Sequence, residues 1–211
     1  MSTGRLLHIS VNLSLLFLAL FMLSSCSSVS SKNTHYYPVM QHAPRANSLG
    51  FSISPPPGNN WYEKLRDNSL IYLKKDQPET YAIYTQAIEI ILESPISKEK
   101  ELVEYVKQRK NGAMNSSRYK NIKFQYHAQQ SPSQQCVRYN NNFEDHGVKN
   151  LAKETFVIVK SSGVFCLHPD TPNVGIDLYY FEKSISGADY VSYQNEGEQF
   201  LSSLNFNTIR L

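Results

Sequence analysis

Residues 155–182, TFVIVKSSGVFCLHPDTPNVGIDLYYFE, consist of β-branched and aromatic residues interrupted by turn-forming ones. Residues 155–159 and 176–182 are rich in Val, Ile, Phe and Tyr, which predicts strands. Ser161-Ser162-Gly163 predicts a turn, so that residues 164–167 begin the second strand of a hairpin. Strands joined by short turns predict an antiparallel sheet.

The rest of the chain from Gly50 onward continues this pattern. Alternating or β-favouring residues predict further strands over residues 51–54, 70–73, 81–92, 122–128 and 136–143.

Two segments are predicted as helices. Ser97 can cap a helix over residues 97–111, which has acidic residues in its first turns and basic residues in its last. Asn195-Glu196-Gly197-Glu198 resembles a capping box and precedes apolar residues at helical spacing. Strands before, between and after these helices predict an α+β fold, with a mainly antiparallel β-sheet flanked by helices.

Residues 50–207 resemble a known family at the level of fold. Phe51-Ser52-Ile53, a Pro-rich turn and Trp61 are similar to the opening of PsbP-like domains, and residues 200–206, FLSSLNF, are similar to their close. The resemblance implies an α/β/α sandwich and a role in binding or assembly without known catalysis. It carries over no binding residue, and an unrelated α+β domain is the alternative.

Composition narrows the possible partners. The chain has 211 residues, with 21 Lys and Arg against 18 Asp and Glu, a net charge of +3. Hydrophobic residues make up 41% and charged residues 18%, which is typical of a globular protein. So small a net charge gives nucleic-acid binding little electrostatic support, and no nucleic-acid partner is predicted.

The N-terminus has the pattern of a secretory signal peptide. Arg5 lies in a short start without acidic residues, and the nearly all-apolar residues 11–23 follow. As a helix, that apolar stretch would be about 20 Å long, short of the ~30 Å hydrocarbon layer of a membrane.

Leu23-Ser24-Ser25-Cys26 resembles a bacterial lipobox. The resemblance implies that residues 1–25 are removed as a lipoprotein signal peptide and that Cys26 carries diacylglycerol and an acyl chain such as palmitate. Several acyl chains would form a lasting membrane anchor. Ser27 at the following position favours the outer membrane, with the domain facing the periplasm. A signal peptide with a chance Cys, or an uncleaved anchor, is the alternative.

The mature chain is predicted to have two parts. Residues 26–49 comprise the lipidated Cys26 and a Ser-rich flexible tether. Residues 50–211 are predicted to form a single α+β domain.

Cys136 and Cys166 are predicted to form a disulfide. They are the two cysteines that remain when Cys26 is lipidated, and an exported chain meets an oxidising compartment. Both lie on predicted strands, where neighbouring backbones approach closely enough for a bridge.

An enzyme or metal site centred on Cys166 and His168 is the alternative. A nucleophilic Cys needs a base and an orienting acid, and Cys166-Leu167-His168-Pro169-Asp170 contains all three residue types. However, no local signature of a cysteine hydrolase is present, and a bridged Cys166 would be unavailable. His127 and His146 could add metal ligands, but no compact ligand pair occurs.

Trp61 is a weak candidate for ligand or partner binding, because it follows a Pro-rich turn and could lie at a groove mouth. Packing in the core is its alternative role.

Together these features predict a membrane-anchored envelope lipoprotein, a non-catalytic binding, scaffolding or assembly factor in the periplasm. Its partner would be an unknown envelope protein or ligand. No catalytic residue, metal or cofactor is predicted.

Overall fold

The computed structural model describes residues 35–46, 50–66, 69–74, 82–114, 116–131, 134–152 and 154–206. Within this part, the residues from Tyr36 onward belong to one compact unit. The predicted signal peptide and Cys26 lie outside the described residues. No helix among the described residues is long and apolar enough to cross a membrane.

Strands dominate the described residues. The strands are β1 (Tyr37–Pro38), β2 (Arg45–Ala46), β3 (Phe51–Ile53), β4 (Trp61–Arg66), β5 (Ser69–Lys74), β6 (Ala82–Ile91), β7 (Tyr119–Ser131), β8 (Gln134–Asp145), β9 (Val157–Leu167), β10 (Val174–Ile185) and β11 (Asn205–Phe206). The helices are α1 (Glu99–Gly112) and α2 (Gln194–Leu201).

The strands form two antiparallel sheets. The large sheet has eight strands in the order β1-β4-β5-β6-β10-β9-β8-β7, and the small sheet has three in the order β11-β3-β2. In the large sheet, β7, β8, β9 and β10 are joined in chain order by long antiparallel pairings, and β10 also pairs with β6.

The two helices pack on opposite faces of the large sheet. Phe165 of β9 belongs to an apolar cluster with Leu102 and Val106 of α1. Its neighbour Cys166 belongs to the cluster that contains Phe200 of α2. Adjacent strand residues point to opposite faces, so we refer to the α1 face and the α2 face of the sheet.

The predicted α+β class and the PsbP-like α/β/α sandwich are wrong. The described residues are mostly antiparallel β-structure, with two short helices. On the α2 face the second layer is not helical alone, because Phe51 and Ile53 of the small sheet share the core cluster with Phe200. On the α1 face there is one helix.

The strands are also longer than predicted, which shifts the balance toward β-structure. Strand β7 extends well beyond the predicted residues 122–128, and β8 beyond residues 136–143. Polar Asn and Gln residues at the strand ends stay in the ladder, because backbone pairing does not require apolar side chains on an exposed face.

The hairpin predicted around Ser161-Ser162-Gly163 is also wrong. All three residues lie inside the continuous strand β9. Gly163 is directly opposite Tyr139, and a Cβ atom on Gly163 would lie 2.2 Å from Cζ of the Tyr139 ring. Glycine is therefore required by a close side-chain approach rather than by a turn.

The capping predictions fail for both helices. Helix α1 follows Lys98 and helix α2 follows Tyr193, and neither of these residues makes a side-chain capping bond. The carboxylate of Glu198, which would close the predicted capping box from Asn195, instead accepts a hydrogen bond from Arg138.

Part of the predicted tether pairs with the domain. Tyr37–Pro38 is opposite Tyr62 and Glu63 of β4, and Arg45–Ala46 is opposite β3. The Arg45 guanidinium also donates to the Glu63 carboxylate at 3.0 and 3.1 Å.

The predicted disulfide is confirmed. Cys136 and Cys166 are directly opposite each other on β8 and β9, with their Cα atoms 4.1 Å apart, and they are bonded. Both are buried on the α2 face, within its main apolar cluster.

Candidate functional site

A cavity of about 510 Å³ lies between the C-terminal end of α1 and the large sheet. Strands β6, β8, β9 and β10 form its floor, and Ala113 and Met114 after the helix form part of its cover. The apolar and aromatic residues that line it are Ile88, Met114, Tyr139, Phe143, Val159, Tyr179 and Phe181.

The cavity exists because α1 covers only one end of this face. The helix packs Leu102 and Val106 against the cluster around Phe165. The helix ends at Gly112. Strand β10 lines the cavity from Asp177 to Lys183. Six residues correspond to about 20 Å of strand, so the floor is elongated.

A buried carboxylate lies at the end of the cavity next to α1. Asp177 is 2% exposed. The Lys110 ammonium donates to its Oδ2 at 2.7 Å, and the Tyr139 hydroxyl donates to its Oδ1 at 2.7 Å. A buried charge requires such partners, because an unpaired one is strongly destabilising.

Aromatic rings surround the Lys110 ammonium. Its Nζ lies 4.3 Å from the Tyr139 ring centroid and 5.3 Å from that of Tyr179. Burial lowers the pKa of Lys110, and the Asp177 carboxylate opposes that effect. Burial raises the pKa of Tyr139 well above its usual value, so its hydroxyl stays protonated and donates.

Two further cations line the cavity. Nε of Arg109 lies 3.9 Å from Oδ2 of Asp177, beyond hydrogen-bond distance, and this side chain is 40% exposed. Nζ of Lys183 lies 5.1 Å from the Phe181 ring centroid. Neither side chain donates a hydrogen bond to any residue that the structure describes. The lining thus combines three cations with the single carboxylate of Asp177.

The structure does not assemble a catalytic pair from Cys166 and His168. The Cys166 sulfur is bonded to Cys136. His168 is buried, its Nδ1 accepts from the Asp170 backbone N–H at 3.1 Å, and its ring meets Phe206 edge-on at 5.1 Å. Asp170 therefore contacts the imidazole through its backbone, not as an orienting carboxylate.

The histidines considered as metal ligands are dispersed. His127 is exposed on β7, and Nε2 of His146 lies 2.9 Å from a Glu144 oxygen while its ring stacks on Phe156. Across the described ranges, no group of three or more His, Cys, Asp or Glu residues is arranged to hold a metal ion.

Trp61 lies in the core of the α2 face and is 2% exposed. Its indole N–H donates to the Glu196 carboxylate at 2.7 Å and to the Pro57 carbonyl at 3.0 Å. Lys74 donates to the same Glu196 oxygen at 2.7 Å. A role of Trp61 in partner binding stays a prediction.

Sequence reasoning missed the cavity because its polar residues are far apart in the chain. Lys110 and Asp177 are separated by 67 residues, and Tyr139 and Asp177 by 38. One signal was present: Asp177 is an acidic residue between the apolar Ile176 and Leu178 of a predicted strand, where an unpaired charge would not be tolerated.

Comparison with known proteins assigns no family to this chain. No protein-family model and no curated protein matches the sequence. Among solved structures, the chain is similar to human STARD10 with a TM-score of 0.29 and 11% identity, over 68% of each chain. A TM-score this low assigns neither a fold nor a function.

Proposed function

We propose that the domain is a non-catalytic binding protein that takes up a small apolar molecule in the cavity beside α1. The observation that supports this is the cavity itself, which has a mostly apolar and aromatic floor, with Lys110 and Asp177 at its α1 end and Lys183 further along β10. Its volume of about 510 Å³ lies in the range of small-molecule sites. Such sites use apolar surface for affinity and a few polar groups for orientation.

The proposal includes membrane anchoring through Cys26 and a location at the outer membrane, with the domain facing the periplasm. It is supported by Leu23-Ser24-Ser25-Cys26 and by Ser27. An anchored domain with an apolar cavity could hold or present an envelope ligand, or could bind an envelope protein in a ligand-dependent way.

Blocking the cavity tests the binding function. Ala113 is exposed and lines the cavity, so Ala113→Phe fills the entrance without disturbing the core. The neutral fluorescent amphiphile N-phenyl-1-naphthylamine is titrated into the purified full-length protein. We expect saturable binding that Ala113→Phe weakens at least tenfold.

Gln108→Phe is the matched control, because Gln108 is exposed on the same helix and does not line the cavity. It should bind the probe like the unaltered protein. Absence of saturable binding, or equal binding by both phenylalanine variants, would overturn the proposed function.

Labelling tests the anchor. A bacterial host expressing the full chain is fed alkyne-tagged palmitate, and we expect the label on the protein. Cys26→Ser should lose it, because a hydroxyl cannot replace the thiol in lipidation. Cys136→Ser is the control that removes a different cysteine and should keep the label. Label retained on Cys26→Ser would contradict the anchor.

A further inference from the structure

We infer that the ligand of the α1 cavity is an elongated apolar chain with an anionic head group, held by Arg109 and Lys110. This inference rests on the proposed function and specifies the chemistry of its ligand.

The first argument is the balance of charge. Arg109, Lys110 and Lys183 line the cavity, whereas Asp177 is its one acidic lining residue. Asp145, on the same face of the sheet but outside the cavity lining, accepts a hydrogen bond from Arg118. Opposite charges attract strongly in a partly buried site, so an anion is favoured there and a cation is disfavoured.

The second argument is the number of unused donors. The Arg109 guanidinium carries five N–H groups and donates none of them to a residue that the structure describes. Lys110 has three, of which one is directed to Asp177. These groups lie next to each other at the end of α1, where one carboxylate could accept from both.

The third argument is the position of the charged groups along the cavity. Arg109, Lys110 and Asp177 lie together at the α1 end, whereas Lys183, the third lining cation, lies six residues further along β10. From there the floor continues through Tyr179 and Phe181 of β10. An acyl chain would follow this strand, with its head at the α1 end.

Asp177 interacts differently with the two cations at the α1 end of the cavity. It holds Lys110 at the sheet by a 2.7 Å hydrogen bond, while Nε of Arg109 lies 3.9 Å from the same oxygen and its side chain is 40% exposed. An incoming anion would complete a network in which two cations share two carboxylates. Charge-assisted hydrogen bonds of this kind are about twice as strong as neutral ones.

A series of ligands with one chain length tests the head group. Dodecanoate, dodecanol and dodecylammonium are titrated separately, below their aggregation concentrations, as competitors of N-phenyl-1-naphthylamine on the full-length protein. We expect dodecanoate to bind at least tenfold more tightly than dodecanol, and dodecylammonium to bind most weakly. Equal affinity of acid and alcohol would overturn the inference.

Charge removal tests the location of the head. Arg109→Gln should weaken dodecanoate binding about tenfold and leave dodecanol unchanged. Lys107→Gln removes the same charge from the same helix, but outside the cavity, and should change neither. Equal effects of the two variants on dodecanoate would overturn the role of Arg109. A loss with Lys183→Gln alone would overturn the position of the head at the α1 end.

The outcomes separate this inference from the proposed function. If N-phenyl-1-naphthylamine binds and Ala113→Phe blocks it, the cavity is a binding site whatever the head-group series shows. The inference alone then fails if the acid has no advantage. If no amphiphile binds, the proposed function and the inference fail together.

Discussion

The two faces of the large sheet are covered in different ways, and the difference separates stability from binding. On the α2 face, a helix and a three-stranded sheet together bury Trp61, Tyr72 and Phe200 almost completely. On the α1 face, one helix covers part of the sheet and leaves the cavity beyond its last turn. The short second layer leaves room for a ligand on the α1 face, whereas a cavity on the α2 face is smaller, about 340 Å³, and is lined by polar side chains.

One buried polar cluster on each face illustrates a second difference. On the α2 face, the buried Glu182 accepts hydrogen bonds from Ser192, Tyr193 and Tyr180, all within the chain. On the α1 face, Arg109 lies near Asp177 without a hydrogen bond. Buried polar groups that are fully satisfied stabilise a fold, whereas unused donors at a cavity are available to a ligand.

The largest expected effect comes from shortening one aromatic side chain on each face. Phe200 is completely buried and meets Tyr72 edge-on at 5.7 Å, so Phe200→Ala should lower the free energy of unfolding by about 3–5 kcal/mol. Phe181→Ala at the half-buried cavity floor should cost less than about 2 kcal/mol, because solvent already reaches the ring. Urea denaturation monitored by circular dichroism measures the loss of unfolding free energy for both variants. Equal losses would contradict the difference between the two faces.

Removal of the disulfide should have the next largest effect. Cys136 and Cys166 enclose 30 residues, and in the chain-entropy model a loop of this length contributes about 3–4 kcal/mol. The Cys136→Ala, Cys166→Ala double variant should lose about 3 kcal/mol in urea denaturation under oxidising conditions. Since the bridge lies on the α2 face, binding of N-phenyl-1-naphthylamine to the remaining folded protein should be unchanged. A large loss of probe affinity with little loss of stability would contradict the division between the faces.

The smallest effect concerns an ion pair on the α1 side of the sheet. The hydrogen bonds of Arg118, 2.8 Å for its Nε, hold the pKa of the Asp145 carboxyl below its usual value. A lowered folded-state pKa stabilises the fold above the unfolded-state pKa of about 3.9, and this contribution is lost as the pH falls through the folded-state value.

Asp145→Asn tests this contribution. At pH 7 the variant should be less stable than the unaltered protein by up to about 1 kcal/mol, since Arg118 is partly exposed. The difference should shrink below about pH 4. Denaturant unfolding from pH 7 to pH 3 measures it, and a difference that grows on acidification would refute the assignment.

The sequence predicted local elements better than their assembly. Helix α1 and strands β5 and β6 lie close to their predicted positions, because their patterns depend on neighbouring residues. Gly163 was misread as a turn residue, since the requirement for glycine comes from Tyr139 on another strand. The disulfide was predicted from the number of cysteines and the expected export of the chain.

The cavity could not be predicted from the sequence, because it depends on residues that are far apart in the chain. Its charged end joins Arg109 and Lys110 after a helix with Asp177 in the middle of a distant strand. Only the register of β10 between β6 and β9 brings that carboxylate under the helix end. The fold class failed in part because β2 and β11, which pair with β3 in the small sheet, have two residues each and are too short for a pattern.

The burial of Trp61 gives the protein a built-in optical reporter. It is the one tryptophan in the chain, and it is packed in the α2-face core with its indole N–H on the Glu196 carboxylate. Its emission therefore follows the integrity of that core. An uncoloured ligand that enters the cavity on the opposite face has no direct contact with the indole, so unfolding and occupancy have separate spectroscopic signals in the same sample.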